Sequence, residues 1–209
     1  EYAGFPDAVI GVIIAGRGVG GTIGFLAAGF SSRLDPRLSM TIGFGMLFTA
    51  GIWLMNMDLN VTVFSLVANA FLQGLAIGAI WVPLTVLTFA NVRSADMAET
   101  TAIYHLLRNL GSSFFISISV TEIVRSTTAN YSRMVELVNP FNKSLSFSDV
   151  LGRWDVESAR GLAQLGSEIN RQSAMIGYLN AFGMFTAACA CTVPLILLMR
   201  KRSAQPASK

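Results

Sequence analysis

Residues 62–90 read TVFSLVANAFLQGLAIGAIWVPLTVLTFA, a run without one Asp, Glu, Lys or Arg. As a helix rising about 1.5 Å per residue, it outreaches the roughly 30 Å of hydrocarbon in a bilayer. Four further windows have the same character: 8–31, 39–57, 100–124 and 174–198. Of the chain's 15 basic and 12 acidic residues, only Arg17, Arg108 and Glu122 fall inside the five windows. Over all 209 residues, 53% are hydrophobic and 13% charged, against roughly 25% charged in an average soluble domain. Lipid offers no partner to a free N–H or C=O, so such windows must be helices. The chain is therefore expected to be an all-α integral membrane protein with five transmembrane helices. A secreted domain, a nucleic-acid binder and a cytosolic enzyme are excluded.

The net charge of +3 reflects sidedness rather than an affinity for nucleic acid. The loop 32–38 carries Arg33 and Arg37, the loop 91–99 carries Arg93, and the tail carries Arg200, Lys201, Arg202 and Lys209. The segments 1–7 and 58–61, on the other side, carry no Lys or Arg. The excess of basic residues marks the cytoplasmic face, so the tail is expected inside and the stretch 125–173 outside. The domain reading that follows is four transmembrane helices within 1–126, a long periplasmic loop at 127–173, and a last transmembrane helix with a basic cytoplasmic tail at 174–209. Within the loop, Ala159, Leu162, Leu165 and Ile169 recur at helical spacing among Glu157, Arg160, Glu168 and Arg171, the pattern of a short amphipathic helix. Opening on Glu1 within a polar segment, without an initiator Met, the sequence is expected to be a C-terminal fragment.

Small residues are spaced for helix pairing. Gly16, Gly20, Gly24 and Ala28 form a smooth stripe on the first span, as do Ala70, Gly74 and Gly78 on the third and Gly183, Ala187 and Cys191 on the last. Such stripes let backbones approach where no hydrophobic force drives helices together. Gly16, Gly18 and Gly21 also match a dinucleotide fingerprint, but that motif must follow a strand and open a helix. Pro83 removes a backbone donor from the third span and is expected to kink it, with a neighbour satisfying the freed carbonyl. Cys189 and Cys191, about 200° apart around a helix, are expected to be packing residues rather than a metal or disulfide pair. The absence of HExxH, GxSxG, paired carboxylates or a Cys/His cluster speaks against an enzyme and against a metal or organic cofactor.

Polar groups within spans are the candidates for function, because each is costly there. Arg17 and Arg108 lie about 12–14 Å into their windows. Thr101, His105, Arg108, Ser112, Ser119 and Glu122 share one face of the fourth window, broken only by Phe115. Asn69 and Gln73 make a second patch on the third. Arg17, Asn69, Gln73, His105, Arg108 and Asn109 are thus the candidates for a transport path. Interhelical hydrogen bonding is an equal alternative for the amides, and Glu122 is expected near the outer interface.

These residues sit in stretches that resemble the major facilitator superfamily, in its fourteen-span drug:proton antiporter branch of the EmrB/QacA type. Ala28 to Arg37, AGFSSRLDPR, is similar to the superfamily's G-x-L-x-D-R-x-G-R-R loop, with Arg33, Asp35 and Arg37 on pattern positions and Ser32 at the Asp. Ile14 to Gly20, IAGRGVG, resembles A-P-R-G-x-G, and Gln73 to Leu84, QGLAIGAIWVPL, resembles R-G-L-G-L-G-x-x-x-V-P-L. His105 to Ser113, HLLRNLGSS, resembles R-N-L-G-G-S, and Arg171 to Phe182 opens the last span as that branch does, with Asn180 where an Asp is usual.

The resemblance implies the last five spans of a two-bundle transporter with alternating access. It further implies export of small hydrophobic or cationic drugs, driven by a proton gradient from the bacterial inner membrane. Arg33, Asp35 and Arg37 would then form a conformational loop, and 127–173 a seat for a periplasmic adaptor leading to an outer-membrane channel. Two alternatives stay open: a major facilitator carrying another cargo such as an organic anion or siderophore, and a stand-alone membrane scaffold subunit.

Overall fold

The computed structural model describes residues 6–31, 36–58, 60–139 and 158–198, all in helices and short turns. The helices are α1 (Asp7–Ser31), α2 (Pro36–Met55), α3 (Val63–Phe89), α4 (Met97–Glu136) and α5 (Ala159–Leu198), with a single 3₁₀ turn, Ser94–Asp96, before α4. Among the described residues, four helices are long and apolar enough to cross a membrane: α1, α2, α3 and α5. α4 is long enough, but its 40 residues mix apolar and polar positions too evenly to qualify by composition.

Two compact units divide the chain, one of them α1, α2 as far as Gly51, α3, and α5 from Phe185 onward. Its centre is α3. The small-residue stripes of α1 and α3 meet face to face, and their register shows the two helices to be parallel. A Cβ on Gly20 would strike the Phe71 carbonyl, and one on Gly24 would lie 2.5 Å from the Leu75 carbonyl oxygen. From the other side, a Cβ on Gly74 would strike the Arg17 carbonyl, and one on Gly78 would lie 2.5 Å from the backbone of Gly24 and Phe25. No side chain fits between these backbones. α2 runs antiparallel to α3, with Gly43 against Ile80 and the Ala76 carbonyl. Leu47, Ala76, Ile80 and Cys189 form the buried cluster of α2, α3 and the end of α5, with Phe44, Met46, Phe48 and Phe185 around it. Cys189 is thus a packing residue, while Cys191 is exposed and both thiols are free.

The second unit holds the turn 52–62, α4, and α5 as far as Met184. Here the helix boundaries differ from those read in the sequence. α4 does not stop near 124 but continues to Glu136, and α5 opens at Ala159 rather than 174. The amphipathic segment expected within the loop is therefore the first part of the last helix. The reason lies in the residues: no Gly or Pro occurs between Ser112 and Asn139, and Pro140 comes only after α4 has ended. At the start of α5, the Ser158 hydroxyl caps the helix by accepting from the Gly161 N–H at 3.0 Å.

α4 and α5 pack antiparallel. Ser126 meets Asn180, Met134 meets Ser173, and Gly177 sits against Thr127 and the Ile123 carbonyl. Glu168 and Arg171, outside the apolar part of α5, form a bidentate pair at 2.9 and 3.0 Å. The Arg171 bond holds the Glu168 carboxyl below its usual range.

Substitutions at two glycines separate packing from propensity. Open space of at least 4 Å surrounds the point where a Cβ on Gly18 would stand, so Gly18→Ala is expected to leave stability unchanged or raise it by up to about 1 kcal/mol. Gly74→Ala, which must force α1 from α3, is expected to lower the melting temperature in detergent or abolish folding. Thermal unfolding of the two variants side by side checks both.

Candidate functional site

The polar residues of the first unit are tied into the contacts of α3. Asn69, 1% exposed, donates from Nδ2 to the Ala50 carbonyl of α2 at 2.9 Å, while its Oδ1 accepts from Gln73 Nε2 at 2.7 Å. The two amides therefore work as one chain of bonds, with Asn69 fixed between helices and Gln73 half-buried beside it. A neutral buried amide with both ends occupied is a tie between backbones. Arg17 has an exposed side chain on α1, although its backbone carbonyl is pressed against Gly74.

Pro83 is buried within α3, which runs unbroken from Val63 to Phe89. Having no N–H, it leaves the carbonyl four residues earlier, that of Ala79, without its helical donor. Ser39 of α2 supplies one, its hydroxyl donating to the Ala79 oxygen at 3.0 Å. The neighbour expected to satisfy that carbonyl is thus a serine 7% exposed. Two bonds, Ser39 to Ala79 and Asn69 to Ala50, fasten α2 to α3 in one antiparallel register, about three helical turns apart. Of the loop residues, Arg33 and Asp35 lie outside the described residues. Arg37 is half-buried at the start of α2, with Nη2 enclosed and without a hydrogen bond.

The candidates of the second unit lie on α4, where every residue from His105 to Ile118 is exposed. His105 stands edge-on to Tyr104, ring centroids 5.5 Å apart. Arg108 and Asn109 follow on the same exposed stretch, with Ser112 one turn on. No helix of the second unit covers this polar face. Arg17, Asn69, Gln73 and Pro83 therefore belong to one compact unit and His105, Arg108 and Asn109 to the other.

Farther along α4, the structure assembles a group that the sequence reading did not single out. Ser126, 7% exposed, receives two amides: Asn180 Nδ2 of α5 at 2.7 Å and Asn130 Nδ2 at 3.3 Å on its hydroxyl oxygen. Asn130 also donates to the Ser126 carbonyl at 2.8 Å. Glu122, half-buried, lies one turn before Ser126 on the same helix. The sequence signals for this group are the four-residue spacing of Glu122, Ser126 and Asn130 and the Asn at 180 where the resembling family usually has an Asp. Its partner Asn180 is 54 residues away from Ser126.

Three known proteins share this pattern of sequence over most of the chain. The multidrug export protein EmrB of Haemophilus influenzae is 24% identical over 161 residues, 74% of this chain and 32% of that protein. The probable multidrug resistance protein EmrY of Escherichia coli K12 is 23% identical over 189 residues, 90% of this chain and 36% of that protein. The fatty acid resistance protein FarB of Neisseria gonorrhoeae is 20% identical over 172 residues, 82% and 34% of the two chains. This chain is a homologue of multidrug export proteins. It spans about a third of the length of these relatives. No family model and no solved structure matches it.

Substitution tests the polar ties directly. Asn69→Ala removes one interhelical bond and leaves Gln73 without its acceptor, and is expected to cost about 1–2 kcal/mol in stability. Ser39→Ala, which orphans the Ala79 carbonyl beside Pro83, should cost a similar amount, and Ser39→Ala combined with Pro83→Ala should recover most of it. A double-mutant cycle by chemical unfolding in mixed micelles measures that coupling.

Proposed function

We propose that this chain is the C-terminal part of a proton-driven multidrug exporter of the major facilitator type, working by alternating access in the bacterial inner membrane with its tail in the cytoplasm. The observation that carries the reading is the similarity to EmrB and EmrY, reaching 90% of this chain in one alignment. The physical features accord with it. α4 is the fourth of five crossings in this reading, and its polar side, Thr101, His105, Arg108 and Ser112, lines the cargo path with Asn109. A guanidinium at the centre of a lipid-facing helix costs about 2.5–3.5 kcal/mol on insertion scales. That face therefore calls for cover from further helices and water, as in a transporter built of two bundles.

The other candidates take roles to match. Arg17 lines the path from α1 and Gln73 from α3, while Asn69 keeps α2 and α3 moving as one body. Rigid bodies of this kind are what alternating access requires, since the bundles must rock without coming apart. Arg33, Asp35 and Arg37 form the cytoplasmic loop that latches one conformation, and Pro83, its carbonyl served by Ser39, is a place where α3 bends. The energy comes from the proton gradient and no organic cofactor takes part. The outward parts of α4 and α5, with the segment between them, are the seat for a periplasmic adaptor that passes cargo to an outer-membrane channel. Small hydrophobic or cationic compounds are the cargo.

In inverted vesicles holding the transporter at its native length, Arg108→Ala should abolish proton-driven export while the protein remains in the membrane. Arg108→Lys should keep part of the activity, because the charge remains and the planar fork is lost. Export by Arg108→Ala at the wild-type rate would assign α4 to structure alone.

A further inference from the structure

We propose that α3 carries a joint between Ala79 and Pro83, and that Ser39 of α2 is the positioning residue that holds this joint closed. The joint itself stands apart from the exporter reading above, while its part in turnover rests on that reading. α3 is held unevenly along its length. On its N-terminal side α1 meets it backbone to backbone, with Gly16 at Val67, Gly20 at Phe71, and Gly24 at Leu75 and Gly78. That contact ends there, since a Cβ on Gly29, five residues farther along α1, would have nothing within 4 Å. α2 adds Gly43 against Ala76 and Ile80. Pro83 therefore stands just past the clamp.

Two causes of bending meet at this point. Pro83 removes the N–H that would serve Ala79. Just beyond it, the hydroxyls of Thr85 and Thr88 donate back to the carbonyls of Trp81 and Leu84, each at 2.8 Å, a habit that bends helices. Yet α3 stays helical from Val63 to Phe89. Ser39, donating to the Ala79 oxygen at 3.0 Å, supplies from outside the bond that the helix lacks.

A donor on another helix differs from a backbone N–H in that it can leave. Ser39 is the fourth residue of α2, in the first turn, whose N–H groups have no acceptor within the helix. A shift of that turn by about 1 Å takes the hydroxyl out of bonding range. The Ala79 carbonyl is then an open acceptor in apolar surroundings, a costly state, and α3 relieves it by bending until water reaches the oxygen. Residues 84–89 move with such a bend, and from them the chain passes through the turn Ser94–Asp96 into α4. Ser39 bonded and Ser39 released are thus two discrete settings of one helix, of the kind that a transport cycle can alternate between.

Hydrogen–deuterium exchange read by mass spectrometry, on the transporter at its native length in lipid nanodiscs, tests the joint. Ser39→Ala should speed exchange of the amides at 80–89 by about fivefold or more, the effect expected for one lost hydrogen bond. Amides at 63–78 should keep the wild-type rate, and Ser39→Thr, which retains the hydroxyl, should restore 80–89. Pro83→Ala, which gives α3 its own N–H back, should slow exchange at 80–89 and make it indifferent to Ser39→Ala. In inverted vesicles, with ethidium as cargo, Ser39→Ala should lower the maximal export rate by about threefold or more and leave the half-saturating concentration unchanged. The proposal is overturned if Ser39→Ala leaves exchange at 80–89 unchanged, speeds 63–78 equally, or is not rescued by Ser39→Thr. A wild-type maximal rate in Ser39→Ala overturns the part in turnover. If the wild-type transporter exports no cargo, the exporter reading falls, and exchange at 80–89 still decides the joint.

Discussion

Direct contact between the backbones of α1 and α3 is the constraint on which the first unit depends. In a bilayer, lipid tails are as apolar as leucine, so two helices gain nothing by hiding side chains from lipid. What remains is close approach, and Gly20, Gly24, Gly74 and Gly78 give it by leaving no atom between the two backbones. The contact also fixes direction. Parallel helices joined in this way must be separated in sequence by an oppositely directed one, and α2 is that helix. α3 is consequently gripped on two sides, by bare backbone from α1 and by hydrogen bonds from α2.

The two grips differ in kind. The glycine contact is dense and nondirectional, while Ser39 and Asn69 act at single carbonyls, those of Ala79 and Ala50. A bond to a carbonyl inside lipid is sensitive to register, because a helix slipped by one residue turns that oxygen about 100° away. α2 is held where both bonds are met together. Ser39 has a further part, since the carbonyl it serves exists as an open acceptor only because of Pro83. The proline that weakens α3 locally is thus a reason that α2 is placed as it is.

Much of this architecture was legible in the sequence. The spans α1, α2 and α3 follow from windows whose one charged residue is Arg17, and the stripes at Gly16–Gly24 and Ala70–Gly78 announce close pairing. That the two stripes pair with each other is a long-range fact that neither stripe contains. Asn69 and Gln73 drew attention as polar groups in lipid, but spacing alone did not distinguish a tie from a path; the Ala50 carbonyl made the difference for Asn69. The ends of α4 and of α5 were misread for one reason. Hydropathy reports where lipid is, whereas a helix ends where its backbone bonds or its Pro and Gly residues end it, and neither helix meets such a stop at the membrane surface. Asn180 was noticed only as a departure from a family pattern, and its bond to Ser126 was not foreseen, because an uncharged polar residue such as Ser126 carries no signal until its partner is known.

The outward course of α4 shows what that difference means. Residues 125–132 of α4 are polar, RSTTANYS, yet they lie beside the part of α5 around Ala174–Ala181, where α5 is already apolar. A boundary between water and lipid cannot lie at two heights on neighbouring helices unless the polar side of one is wetted. The serine, threonine and asparagine side chains meet part of that demand by bonding back to α4, as Thr128 does to Val124 and Asn130 to Ser126. Glu122 has no such recourse, since a carboxylate accepts and cannot donate. As an acceptor it needs a donor from outside its own side chain, and water is the available one. The wetted side of α4 must therefore extend inward at least to Glu122, along the same helix that carries Arg108 on its exposed stretch. One helix thus bears polar groups in both settings, His105 to Ser112 on its exposed stretch and Ser126 against α5.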